Sequence, residues 1–133
     1  MTVIGCSVII LSLSQKADFL YFSTYCLFMT RFFLHMLAHL LVPGLVARFA
    51  FKQRWQRAWL IMAATMIVDA DHLLSSPIFD PNRCSIGNHL LHTEPAMAIY
   101  GVLLLIPQLR IIATGLLIHM ALDAIDCYFQ LFS

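Results

Sequence analysis

The stretch Thr65-Met66-Ile67-Val68-Asp69-Ala70-Asp71-His72 ends an apolar run in two carboxylates and an imidazole. His35, His39, His89, His92, His119, Asp123 and Asp126 stand elsewhere in the chain as further donors. Nitrogen and oxygen ligands of this kind suit zinc, and also manganese or iron. A divalent ion so held lowers the pKa of its water toward about 7, which favours hydrolysis. A neighbouring Asp or His then serves as general base or acid. The candidate ligands are His39, Asp69, Asp71, His72, His89, His92, His119 and Asp123, with Asp69 and Asp126 as candidate catalytic groups. They outnumber the four a tetrahedral ion needs. Either two metals share bridging carboxylates, or some groups orient the imidazoles that bind.

Each residue has a plainer reading. A lone His35 or His92 is more often a hydrogen-bonded interfacial histidine than a ligand. For His119 with Asp123 the two readings are even. Asp69-Ala70-Asp71-His72 favours function, because charged groups in apolar surroundings are costly.

The elements that must position these groups follow from composition. The chain has 133 residues, 61% hydrophobic and 11% charged, with a mean hydropathy of +0.84. So much apolar surface in so short a chain predicts a bilayer as its solvent. The net charge of +1 offers no footprint for nucleic acid. Cys6, Cys26, Cys84 and Cys127 show no Cys-x-x-Cys spacing, against a zinc ribbon or thioredoxin-like motif. Cys84 and Cys127 fall near one membrane face, where either a disulfide or two buried thiols fits, thiols being the commoner case.

The expected fold is all-α, an integral membrane bundle of four core transmembrane helices with room for an extra N-terminal hydrophobic helix. Residues 1–30 form a hydrophobic extension that suits a secretory signal poorly, since no basic residue precedes its first apolar run. The four-helix domain is 31–133, with spans near 31–50, 58–74, from His89 or Thr93 to 109, and 111–131. Pro43 denies the His39 carbonyl its helical partner and predicts a bend below the His35–His39 pair. Arg48, Lys52, Arg54 and Arg57 place four of the eight basic residues in one loop, which predicts that it is cytoplasmic. Residues 75–88, rich in turn signals, then form an outer loop.

This topology uses no histidine, yet it puts all six histidines and Asp69, Asp71, Asp123 and Asp126 in the outer half. Helical spacing agrees: His35 and His39 share a face, as do His119 and Asp123, with Asp126 three residues further. Asp69 and His72 are three apart, and so are His89 and His92. Asp71 points elsewhere unless the helix has already unwound, as an approaching loop would allow.

The set His39, Asp69-Ala70-Asp71-His72, His89-Leu90-Leu91-His92 and His119-Met120-Ala121-Leu122-Asp123 resembles the YdjM-like membrane-bound metal-dependent hydrolases of bacteria. From about His35 to Cys127 the chain is also similar to a small uncharacterised bacterial membrane family with the same arrangement. The sequence departs in having His-x-x-His where that group has His-x-x-x-His, and Val68 where it has proline. The resemblance implies a metal site in the bacterial inner membrane. The resulting expectation is a hydrolase facing outward with a divalent ion, zinc first, among membrane lipids and acting on a lipid-linked or envelope-related ester or amide. The alternative is a non-enzymatic membrane protein that binds metal or haem as an electron or ion carrier. Haem histidines need apolar surroundings, which four aspartates deny.

Overall fold

The computed structural model describes residues 16–74, 76 and 84–131, with side chains from residue 22 to residue 130. Most of the outer loop expected at 75–88 lies outside the described residues. Among the described residues the chain is helical, with no strand. Four α-helices, α1 (Lys16–Ala50), α2 (Trp55–Ala64), α3 (Glu94–Leu103) and α4 (Arg110–Leu131), are joined by 3-10 segments and turns. The chain divides into two units, Met1–Met36 and Leu37–Ser133. In the first, Thr30 Oγ1 donates to the Cys26 carbonyl at 2.9 Å and Phe32 meets Phe33 edge to face.

Helix α1 corrects the boundary expected near residue 31. It runs unbroken from Lys16, because no Gly or Pro interrupts the sequence before Pro43. Pro43 does not end it; α1 continues to Ala50. The Trp59 indole donates to the Leu40 carbonyl at 2.9 Å, so a neighbouring helix supplies a donor beside the proline. Among the described residues, Phe22–Ala50 and Arg110–Gln130 are the two helices long and apolar enough to cross a membrane.

The second expected span has an unexpected winding. After Ala64 the chain tightens into a 3-10 helix over Thr65–Leu74, although such runs seldom exceed four residues. Thr65 Oγ1 donates back to the Met62 carbonyl at this junction, a bond that competes with regular helical pairing. A 3-10 helix has three residues per turn, and burial follows that period: Met62, Thr65, Val68 and Asp71 are buried. Asp69 and His72 share the adjoining half-buried row, and Ile67, Ala70 and Leu73 are exposed. The winding that turns Asp71 inward is thus tightened, not unwound.

The third expected span is shorter than 93–109. Helix α3 has ten residues, about 15 Å, and gives way to successive turns ahead of Pro107 and Arg110. Arg110 Nε donates to the Leu104 carbonyl at 3.0 Å and closes this connection.

Packing in the second unit is apolar at one end and polar at the other. Ala47, Ala58 and Met62 form a small core with Trp59, Ile111 and Ile118 around it. Gly115 lets α4 approach α2, since a Cβ there would lie 2.8 Å from Met62 Cα. A second cluster joins Val68, Ala96, Tyr100 and Met120. Beyond it the buried side chains are His39, Asp71, His89, His92, His119 and Asp123. Outward the unit presents large apolar groups such as Leu45, Phe49, Leu60, Ile67, Leu105 and Phe129.

Candidate metal centre

Three helical segments and one loop deliver the polar groups. In α1 the buried seam climbs His39, Pro43, Ala47 at four-residue steps. In α4 His119, Asp123 and Cys127 repeat at the same interval and are all buried. The 3-10 segment supplies Asp69, Asp71 and His72. Residues 84–92 form a compact loop in which Gly87 has φ +81°. Its N–H donates to the His92 carbonyl at 3.0 Å. A left-handed residue of this kind is what glycine tolerates without strain.

Four atoms converge. His92 Nε2 lies 3.4 Å from Asp69 Oδ1, 3.2 Å from Asp123 Oδ2 and 3.4 Å from His119 Nε2. His119 Nε2 lies 3.0 Å from Asp69 Oδ1 and 3.4 Å from Asp123 Oδ2. Ligand bonds of about 2.0–2.1 Å put the corners of a tetrahedral zinc site roughly 3.3–3.4 Å apart. Those five separations therefore fit one small cation. Hydrogen bonds alone fit them poorly, because a ring nitrogen offers one proton or one lone pair and His92 Nε2 faces three partners.

The surroundings set the tautomer of His92. Its Nδ1 donates to Asp71 Oδ2 at 3.2 Å, and the Leu91 N–H donates to the same oxygen at 2.8 Å. With a metal in place of the second ring proton, Nδ1 would keep its proton and Nε2 would turn its lone pair to the other three groups, the carboxylate–histidine arrangement of metal sites. His92 sits in a short 3-10 turn ahead of α3, outside both candidate spans. Burial works to lower its pKa, but the facing carboxylates of Asp123, Asp69 and Asp71 outweigh burial and push it up to about 10. The same negative field that favours a proton favours a metal ion.

The remaining expected residues surround this quartet. His39 Nε2 lies 3.3 Å from Asp123 Oδ1, on the carboxylate edge away from the quartet. His72 Nδ1 lies 3.2 Å from Asp71 Oδ1, and its Nε2 lies 3.2 Å from Ser85 Oγ. His72 with Asp71 and His92 forms a second group of metal-type donors. His89 is buried with its ring stacked on His72 at 3.8 Å. Asp126 accepts from Gln130 Nε2 at 2.9 Å on its own helix, and none of the donor groups among the described residues includes it. Quartet members His92, His119 and Asp123 are at most 4% exposed, whereas the side chains of Asp69 and His72 are 38% and 32% exposed. Access is from that side.

Sequence reasoning passed over three features. Ser85 carried no motif, and the Leu91 N–H and Tyr100 hydroxyl have no sequence signature. The Tyr100 hydroxyl donates to the Leu91 carbonyl at 3.0 Å and holds the loop from α3. Cys84 and Cys127 are joined by a disulfide, the arrangement the sequence made less expected.

The fold and these groups define an all-helical protein with two membrane-length apolar helices and a buried His/Asp cluster able to hold a metal ion. Over residues 29–130 the chain matches the model of a family of unknown function, DUF6122. It belongs to that family. Neither the curated proteins nor the solved structures contain a match.

Proposed function

We propose that this protein is a membrane-embedded, metal-dependent hydrolase. The observation that carries the reading is the quartet of Asp69, His92, His119 and Asp123, with five of its six facing-atom separations at 3.0–3.4 Å and one open side. Zinc is the first expectation for two imidazoles and two carboxylates, with manganese or iron next. When bound, such an ion polarises an ester, amide or phosphoryl oxygen and acidifies water near neutral pH. The chain's own contribution is placement. Asp71 holds the His92 ring, His39 braces Asp123, and Asp69 and His72 line the mouth where a proton must be taken up or given back.

Membrane position supports a lipid-linked or envelope-related ester or amide as substrate. The exposed apolar belt suits four membrane-embedded segments, with Trp55–Leu74 covering roughly 35 Å at helical and 3-10 rises. The basic loop at Arg48–Arg57 favours a cytoplasmic end. The Cys84–Cys127 disulfide favours an oxidising compartment for the other end. Together they support an outward-facing site in a bacterial inner membrane. Cysteine labelling from outside should then reach position 80 and not position 53.

Detergent-purified protein loaded with zinc should hydrolyse at least one of a panel of chromogenic esters, amides and phosphodiesters in mixed micelles. The activity should vanish on chelation and return with zinc. Stoichiometric zinc without hydrolysis of any panel member would count against the enzyme and favour the carrier reading.

A further inference from the structure

Of the four converging groups, three stand on helical segments of ten residues or more and one on a single three-residue 3-10 turn at the end of a loop. His92 belongs to the 84–92 loop, yet it is the group that faces all three others. Helical neighbours hold one another in place through their own backbone bonds; a loop needs ties. At its distal end the loop is tied by the bonds from Leu91 N–H and His92 Nδ1 to Asp71, and by Tyr100 to Leu91. At its proximal end the disulfide joins Cys84 to Cys127. Internal bonds make the piece between them nearly rigid: Asn88 N–H and His89 N–H donate to the Ser85 carbonyl, and Gly87 N–H donates to that of His92. The Asn88 side chain donates to the Cys84 carbonyl at 2.9 Å.

The anchor's location matters as much as its strength. Cys127 lies one turn beyond Asp123 and two beyond His119, on the same buried seam of α4. The bond therefore clamps the loop to the helix that supplies two of the other three donors. It also seats Ser85, next in sequence, against His72.

We propose that Cys84 and Cys127 are positioning residues for the metal centre: their disulfide sets His92 in the quartet, so the site gains its full metal affinity only when the bond is formed. This rests on the metal reading above and adds a maturation order, oxidation first and metal second. Formation removes two thiol protons and two electrons, which pass to a thiol–disulfide oxidant of the compartment. Coupling between the two events is reciprocal, so bound metal must also make the disulfide harder to reduce by the same factor.

The test uses the full chain in detergent with zinc as the probe. Zinc affinity is measured by competition with a chromogenic chelator for the oxidised wild type, the wild type reduced with a phosphine, and Cys84→Ser and Cys127→Ser. Far-UV circular dichroism follows helix content in each. We expect reduced protein and both variants to lose affinity about 10- to 100-fold, the range for residues that orient a ligand, with helix content kept. In a thiol–disulfide buffer, zinc should lower the disulfide's reduction potential by about 30 mV for each tenfold of coupling. That second readout needs no variant to fold. Equal zinc affinity in all four samples, with a potential indifferent to zinc, would overturn the proposal and leave the metal centre standing. Oxidised wild type without zinc would remove both.

Discussion

The two ends of the second unit are built from the same three seams and solve opposite problems. At the basic end α1 offers Ala47, α2 offers Ala58 and Met62, and α4 offers Ala113 and Gly115, all small or flexible groups that let backbones close up. At the other end the same seams offer His39, Asp71, His119 and Asp123. The apolar end keeps regular α-helix through Ala64, while the polar end gives it up for a 3-10 segment and a stapled loop. Packing of small residues needs no special winding. Bringing six buried polar groups from four segments together does, and the buried period of three from Met62 to Asp71 is how the second seam achieves it.

Substitutions at each end should separate the two roles. The largest effect is expected for Asp123→Asn, which keeps size and removes a charge facing His39, His92 and His119. Zinc affinity should fall more than about 100-fold, beyond what orienting residues cause, while the protein still inserts. Asp71→Asn should cost about 10- to 100-fold, since it orients His92 and stands behind the quartet. An Asp71 loss as large as that of Asp123 would move Asp71 among the direct ligands. At the apolar end Gly115→Ala should leave zinc affinity unchanged but destabilise the fold by about 1–3 kcal/mol, because its Cβ meets the α2 backbone. Thermal unfolding in detergent reads this. Trp59→Phe should cost least, about 0.5–1 kcal/mol, for the one hydrogen bond to the Leu40 carbonyl. If Gly115→Ala lost zinc as Asp123→Asn does, the two ends would not be independent.

Much of this contrast was legible from residue types alone. Apolar runs and one basic cluster predict helices and which ends carry the histidines, because both obey composition and period. His119 with Asp123 and Asp69 with His72 follow from helical spacing. What sequence hides is the winding. Thr65 bonding back to Met62 and a ten-residue 3-10 run leave no distinctive pattern, and they decide that Asp71 turns inward to hold His92. The roles of His89 and Asp126 were hidden for a related reason. Ligand-type residues look alike in sequence; a tertiary contact places His89 against His72, and a one-turn bond within α4 holds Asp126 with Gln130. The continuous α1 could have been read from the absence of Gly and Pro between Lys16 and Pro43.

The central claim is that one divalent ion occupies the centre of Asp69, His92, His119 and Asp123. It is tested most directly by elemental analysis of detergent-purified protein, with an absorption spectrum of the same sample and Asp123→Asn beside it. The account predicts about one zinc, manganese or iron per wild-type chain, no haem band, and loss of the metal in the variant. A metal-free wild type, a haem band, or equal metal in the variant would contradict it.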